Sequence, residues 1–166
     1  YFGAGIPPDM LGRPLRDTIA ADKPVREAAL FGVFGGHVNI TDGRYVYMRA
    51  PVRPDSSPLF NYTLMPSHMR RMFSPAELQE AELAGPFPFT KGCRLLRVPA
   101  KPFMNQAHQF GSLLYDLQTD PEQQHPLRDR TQTERMTEQL ISLMREHDAP
   151  TEQYERLGLP VKERNP

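Results

Sequence analysis

The single cysteine of this 166-residue chain is the first candidate for chemistry. Cys93 lies in the stretch KGCRLLR, where Lys91, Arg94 and Arg97 place positive charge beside the thiol. Neighbouring cations stabilise the thiolate, which is the nucleophilic form of cysteine. The alternative is a structural cysteine buried inside a strand, and we favour it because free cysteine is among the most buried residue types. A phosphatase loop is excluded, since Pro99 occupies the position where that loop has its arginine.

The histidines do not form a metal-binding pattern. No two of them stand in an H-x-H or H-E-x-x-H spacing, and no acidic cluster completes a ligand set; they are His37, His68, His108, His125 and His147. We therefore expect no metal site in this chain. His147 ends a predicted helix, where an imidazole suits the helix dipole. The sequence also lacks a nucleophile elbow and the glycine-rich phosphate loops, so we assign no catalytic residue.

His37 is the histidine that the sequence singles out. It follows two glycines, begins a predicted strand and shares one face of the predicted sheet with Asn39 and Arg44. We predict that His37, Asn39 and Arg44 bind substrate, with an anionic or sugar-like ligand as the class. The alternative is a histidine at the rim of the sheet that is hydrogen-bonded to the backbone.

Composition limits the function classes. Lys plus Arg and Asp plus Glu number 20 each, so the chain lacks the basic footprint of a protein that binds nucleic acid or an anionic membrane surface. No run of eighteen apolar residues predicts a membrane span. We expect neither nucleic acid nor a membrane as a partner, and we assign no compartment. The chain begins with YFGAG, without an initiating methionine or a signal-peptide pattern, which leads us to expect a piece of a longer protein.

The clearest local structure is predicted for HVNITDGRYVYMR at 37–49. Two β-rich runs flank Asp42-Gly43, a dipeptide that favours a two-residue type I′ turn. A turn centred there pairs Ile40 with Tyr45. One face of the hairpin then carries an apolar ladder formed by Val38, Ile40, Tyr45 and Tyr47.

Further elements are predicted on both sides of this hairpin. Strands are expected at 27–36, where we predict burial, at 93–98, and at 112–118, which we take as the last strand of the sheet. A short helix at 74–83 begins with a capping box of Ser74 and Glu77. A longer helix at 131–147 has Thr131 and Glu134 in the same spacing. Its apolar stripe consists of Met136, Leu140, Leu143, Met144 and His147.

These elements predict an α+β fold in which a small antiparallel sheet of about four strands packs against a C-terminal amphipathic helix. The result is a two-layer sandwich, and the 18 prolines, roughly double the usual share of about 5%, predict a chain rich in loops. We predict one unit over 1–166, with an irregular lead-in at 1–27, sheet and helices at 28–147, and a polar tail at 148–166 that wraps the surface or frays.

Three stretches, in this order, resemble the sulfatase family. The first, YFGAGIPPDMLGRPL, is similar to the family pattern G-(I/V)-P-x-P-x-x-M-x-G-x-S-L, with Pro14 in place of the usual serine. The second, GGHVNITDGRYVYMR, resembles the C-terminal hairpin of the family. The third, LLYDLQTDPEQQHPL, resembles L-Y-D-L-x-x-D-P-x-E-x-x-N-L, with Gln123 and Pro126 as departures. Its matching positions are Leu114, Tyr115, Asp116, Leu117, Asp120, Pro121 and Leu127.

The resemblance implies that this chain is the non-catalytic C-terminal subdomain of a sulfatase that hydrolyses sulfate esters. In the family this subdomain is an antiparallel sheet of about four strands with a helix against it, beside the substrate cleft. Formylglycine and a divalent cation, Ca or Mg, belong to the catalytic domain, so the chain alone has no cofactor and is expected to be inactive. His37, with Asn39 and Arg44 behind it, would line the wall of the cleft. The stretch CRLLR at 93–97 lacks the Pro and Ser of the formylglycine motif.

Two alternatives remain open at this point. The same subdomain serves equally in a phosphonate monoester or phosphodiester hydrolase, because the two classes differ in the catalytic half. A stand-alone module that binds a peptide or glycan is the other alternative. The expected partner is the N-terminal catalytic domain of the same protein, and in its absence self-association through the exposed packing face is expected.

Overall fold

The computed structural model describes residues 5–7, 10, 12–68, 70–103 and 106–161. Within these ranges the chain forms two antiparallel sheets and five α-helices. The strands are β1 (Ala29–Gly32), β2 (Val38–Thr41), β3 (Tyr45–Arg49), β4 (Phe60–Thr63), β5 (Glu82–Ala84), β6 (Leu95–Pro99) and β7 (Leu113–Asp116). The helices are α1 (Arg16–Ala21), α2 (Pro75–Gln79), α3 (Ala107–Phe110), α4 (Arg130–Glu146) and α5 (Thr151–Leu157), with a 3₁₀ turn at Pro88–Thr90.

The first sheet has the strand order β1-β2-β3-β7 and carries the main core. One of its faces packs against α4 and α5, because the alternation of each strand places its apolar side chains on that side. This confirms the predicted α+β class and the sheet of four antiparallel strands with a helix on one face. The core consists of Ile40, Tyr47, Leu114, Met136, Leu140, Ile141, Met144, Tyr154, Leu157 and Leu159.

The hairpin between β2 and β3 has a different register from the predicted one. Ile40 pairs with Tyr47 and not with Tyr45. The carboxylate of Asp42 accepts hydrogen bonds from the backbone N–H groups of Arg44, at 3.0 Å, and Tyr45, at 2.7 Å. Asp42 therefore begins the turn instead of standing at its centre, and the loop is centred one residue later. The predicted faces of the two strands are nevertheless correct, because the partner of each residue moves by two positions and an even shift keeps every side chain on its face.

Two strand predictions need correction. β1 is shorter than the predicted stretch at 27–36 and is an edge strand, with Phe31 46% exposed instead of buried. The strand predicted at 93–98 is β6, and it lies in a second sheet of order β4-β6-β5 that the sequence did not predict. Strand pairing at long sequence separation leaves little local trace, which is why the second sheet was missed.

The two helix starts illustrate how far local patterns can be relied on. At α2 the predicted capping box is present, since Ser74 accepts from the N–H of Glu77 and the Glu77 side chain accepts from the N–H of Ser74. At α4 the prediction of Thr131 as the cap is wrong. The cap is Asp129, whose carboxylate accepts from the N–H of Gln132 at 3.0 Å, so the cap lies two residues earlier than predicted. An aspartate stabilises a helix start through its charge as well.

The tail is part of the core, which corrects the prediction that it wraps the surface or frays. α5 buries Tyr154, Arg156 and Leu157, and Leu159 follows them into the same cluster. Arg49 on β3 donates to the carbonyl oxygens of Leu157 and Gly158, at 2.8 and 3.1 Å. The lead-in also differs from the irregular segment predicted at 1–27, because it contains α1, which buries none of its residues.

The stretch LLYDLQTDP closes the first sheet, as predicted. Leu114 faces the helices and is 2% exposed, whereas the carboxylate of Asp116 accepts from the N–H of Gln118 and from the side chain of Arg44. Asp120 then accepts from the N–H groups of Gln124 and His125, at 3.0 and 2.8 Å. Each acidic residue of this stretch thus satisfies backbone donors in the turn that leaves the sheet.

Candidate functional site

The candidate site is an open depression of about 400 Å³ on the face of the first sheet that points away from α4 and α5. Phe31, Asn39 and Met48 form a row across its floor, since Asn39 pairs with Phe31 of β1 on one side and with Met48 of β3 on the other. Gly32, Val33 and His37 complete the lining. The site therefore combines an apolar floor with one imidazole and one amide.

His37 is held at the rim of this depression by a backbone hydrogen bond. Its Nε2 lies 2.8 Å from the carbonyl oxygen of Gly111. Because a carbonyl oxygen only accepts, Nε2 carries the hydrogen, and the neutral ring then offers Nδ1 as an acceptor. The alternative interpretation of His37, a rim histidine hydrogen-bonded to the backbone, is therefore correct as far as this bond goes. The ring also lies beside the depression.

Asn39 contributes an amide with unused hydrogen-bonding capacity. Its Oδ1 is buried and has no hydrogen-bond partner among the residues that the structure describes. An acceptor buried without a partner costs about 1–3 kcal/mol. Asn39 also lines the depression, so it is the polar residue on the floor of the candidate site.

Arg44 lies apart from the other two predicted residues. Its Nη2 donates to Oδ2 of Asp116 at 2.8 Å and its Nε lies 3.2 Å from both carboxylate oxygens, so the pair is bidentate. This guanidinium lowers the pKa of Asp116. Arg44 borders a second depression of about 330 Å³ with Gly43, Leu117 and Gln118. The structure thus brings His37 and Asn39 together and places Arg44 at the turn.

The turn between β1 and β2 positions His37. Gly35 adopts a φ of +74°, in the left-handed region that favours glycine. A Cβ at Gly35 would lie 2.5 Å from the Cβ of Pro102, so a side chain is excluded there. The N–H of Gly36 donates to the carbonyl oxygen of Val33 at 3.0 Å and closes the turn. Gly35 is therefore required by the close approach of Pro102, and Gly36 by the contact with Val33, where a Cβ would lie 2.8 Å from Cγ2.

The thiol of Cys93 is not buried inside a strand, which corrects our preferred interpretation. Cys93 is exposed and precedes β6 by two residues. The local reason is a turn, in which its N–H and its carbonyl oxygen both bind Thr90. No site can be built on this lone thiol.

A histidine–carboxylate pair that the sequence did not predict lies beside α2. Nε2 of His68 is 2.7 Å from Oε1 of Glu77, and Arg71 approaches the other oxygen at 3.3 Å. The hydrogen bond from the backbone N–H of Ser74 lowers the pKa of Glu77 to about 2, and the hydrogen bond to the side chain of His68 is the second cause. Because Glu77 is already engaged in the capping box, we assign the pair a structural role.

The residues that the structure describes form neither a metal site nor a membrane span. Among them, no group of three or more His, Cys, Asp or Glu side chains is arranged to hold a metal ion. In the same part of the chain, none of the helices has the length and apolar character that crossing a bilayer requires.

The sequence predicted the polar residues of the site, His37 and Asn39, and missed Phe31 of its apolar floor. Phe31 could not be predicted there, because its position opposite Asn39 depends on the turn at 33–36, whose shape is set by residues near Pro102. Comparison of the chain with protein-family models, with curated proteins and with solved structures found no match in any of the three.

Proposed function

We propose that this chain is the non-catalytic C-terminal subdomain of a sulfatase-like hydrolase, and that the depression beside His37 forms part of the wall of its substrate cleft. The lining supplies an acceptor on His37, an unpaired amide on Asn39 and an apolar floor. It holds no nucleophile and no acid–base pair among the described lining residues. Such a site binds and orients a ligand, while the bond is cleaved by groups elsewhere.

The observation that carries the proposal is the position of the stretch that resembles the family. The residues that match the family pattern in LLYDLQTDP are the ones that form β7 and the turn after it, immediately before α4. The hairpin stretch coincides with β2 and β3. A sheet of four antiparallel strands with a helix on one face is also the arrangement that the resemblance implies.

Exposed apolar side chains around the depression supply a packing surface for the catalytic part. Five of them, each between 45% and 80% exposed, lie on the segments that border His37: Phe31, Val33, Phe34, Phe103 and Phe110. Proteins that act alone seldom leave so many large apolar side chains in one region. We propose the N-terminal catalytic domain of the same protein as the occupant of this surface, and self-association of the isolated chain when that domain is absent.

The proposal is tested by enzyme assay of two proteins: the 166-residue chain, and the product of the coding sequence extended upstream. We expect the extended product to contain a C-x-P-S-R or S-x-P-S-R motif and to hydrolyse an aryl sulfate. The isolated chain is expected to show no turnover. In the extended product, His37→Ala is expected to raise KM with little change in kcat, because a wall residue acts through binding.

Several outcomes contradict the proposal. Turnover by the isolated chain that is abolished by His37→Ala would place catalysis here. A faster reaction with a phosphonate monoester or a phosphodiester than with the sulfate would assign the parent to the sister class of hydrolases. A monodisperse monomer at high concentration that binds a glycan or peptide at His37 would favour the stand-alone module.

A further inference from the structure

Arg156 is the least expected side chain in the interior. It is 2% exposed, and within the described part of the chain no carboxylate forms an ion pair with it. Burial lowers its pKa to about 10. Burying a guanidinium without a counter-ion costs free energy. The hydrogen bonds of Arg156 therefore show which part of the structure this residue stabilises.

Those hydrogen bonds converge on the turn that carries His37. Nη1 of Arg156 donates to the carbonyl oxygens of Gly36 and Gly35, at 2.9 and 3.4 Å, and to Oγ of Ser56 at 3.1 Å. Ser56, also 2% exposed, donates in turn to the carbonyl oxygen of Gly35 at 2.6 Å. Gln153 accepts from Nε of Arg156 at 2.9 Å and fixes the other side of the guanidinium.

The turn is therefore held from two directions. Arg156 and Ser56 fix the carbonyl oxygens of Gly35 and Gly36, and the ring of His37, the next residue, is fixed by the carbonyl oxygen of Gly111. A glycine pair has more backbone freedom than other residues, so without these bonds the position of His37 would be poorly determined.

We propose that Arg156 is a positioning residue, whose direct hydrogen bonds to the turn at Gly35 and Gly36 fix the geometry of His37 and of the depression beside it. The proposal rests on the proposed function only in taking that depression as a binding site. Because coupling is reciprocal, a ligand bound at His37 also stabilises the bonds of Arg156 to this turn.

The test is the nitrogen–proton correlation spectrum of the histidine rings in the full 166-residue chain, without ligand. In the unmodified chain we expect a slowly exchanging Nε2–H signal from His37, because that proton is hydrogen-bonded. In Arg156→Lys, which keeps the charge but loses the planar fork, we expect this signal to shift or to broaden beyond detection. His68, which is bonded to Glu77, is the internal reference and should not change.

Arg49→Lys is the matched control. Arg49 also donates to backbone carbonyl oxygens and also anchors the end of α5, but it makes no bond to the turn at Gly35. An equal change of the His37 signal in Arg49→Lys overturns the proposal, since general loosening of α5 would then explain it. An unchanged His37 signal in folded Arg156→Lys overturns it as well.

Ser56→Ala covers the case in which Arg156→Lys does not fold. This substitution removes the hydrogen bonds of Ser56 to Gly35 and Arg156, and it should produce a smaller change of the His37 signal in the same direction. An unchanged His37 signal in Ser56→Ala overturns the proposal. The spectrum needs no substrate and no catalytic domain. Failure of the proposed positioning role of Arg156 and failure of the sulfatase assignment are therefore separate results.

Discussion

Nη2 of Arg44 lies 2.8 Å from Oδ2 of Asp116, and this contact joins the turn of the β2–β3 hairpin to the closing strand β7. The arginine side chain is 53% exposed, whereas the carboxylate side chain is 8% exposed. A pair with one desolvated partner contributes more than a fully solvated pair, because solvent screens it less.

We predict that Asp116→Asn lowers the free energy of unfolding at pH 7, measured by urea denaturation. The pKa of Asp116 is lowered in the folded chain, so its contribution is present at neutral pH and is lost as the pH falls through the folded-state pKa. The difference between the two proteins should therefore shrink in acid. Glu134→Gln breaks the exposed pair with Arg130 and serves as control; an effect as large as that of Asp116→Asn would contradict the argument.

Glu77 gives a second pH prediction. Its pKa is about 2 in the folded chain against an ordinary value of 4.5, so the stabilisation it provides is complete above pH 4.5 and disappears as the pH falls towards 2. Between these values the unmodified chain should lose more stability than Glu77→Gln. Glu80→Gln, at the end of the same helix, should follow the unmodified chain. Parallel curves for the unmodified chain and Glu77→Gln would refute the prediction.

The start of α4 can be tested by comparing two substitutions. Asp129→Ala should destabilise the chain by about 1 kcal/mol, because it removes the acceptor for the N–H of Gln132. Thr131→Ala, at an exposed position inside the first turn, should cost less than about 0.5 kcal/mol. The reverse order in chemical denaturation would restore Thr131 as the cap.

The role of the tail in the core is tested at Leu157, which is fully buried. Leu157→Ala should reduce the free energy of unfolding by about 2–5 kcal/mol, since it leaves a cavity between α5 and the sheet. Glu155→Ala, on the exposed side of the same helix, should change it by less than about 0.5 kcal/mol. Equal effects of the two substitutions would mean that α5 does not dock as described.

The exposed thiol makes a prediction that needs no variant of the core. Cys93 should react with a disulfide reagent in the folded chain at a rate close to that in denaturant, because its sulfur is accessible. Cys93→Ser should not react. Strong protection of the thiol in the folded state would show that Cys93 is buried, as the sequence-based interpretation predicted.

The comparison between sequence and structure separates local from distant causes. The capping box of Ser74 and Glu77 was predicted because both partners lie within one turn of the chain. The register of the hairpin was not, because the side chain of Asp42 competes with the backbone for the same N–H groups. α5 was missed since its apolar residues are few among polar neighbours, and their burial depends on strands β2 and β3, more than one hundred residues away.

The same difference between local and distant causes applies to the candidate site. Strand alternation alone was enough to place His37 and Asn39 on one face. Arg44 was assigned to the same site, but its partner Asp116, 72 positions along the chain, holds it at the turn. The burial of Arg156 could not be predicted, because an arginine in a polar tail carries no sign of burial in its own neighbourhood. Its hydrogen bonds to Gly35 and Gly36 span more than a hundred residues.

The second sheet lies in the chain between two strands that are direct neighbours in the first, β3 and β7. The N–H of Ala50 donates to Oγ of Ser112 at 3.1 Å. Residues 51–111 therefore form one long segment that leaves the first sheet and returns to it at the same point. Doubling the length of such an excursion costs only about 0.6 kcal/mol in closure entropy. This segment can thereby be exchanged in evolution and the surroundings of the imidazole remodelled, provided that Ser56, Pro102 and the carbonyl of Gly111, which hold the turn and the ring of His37, stay in place.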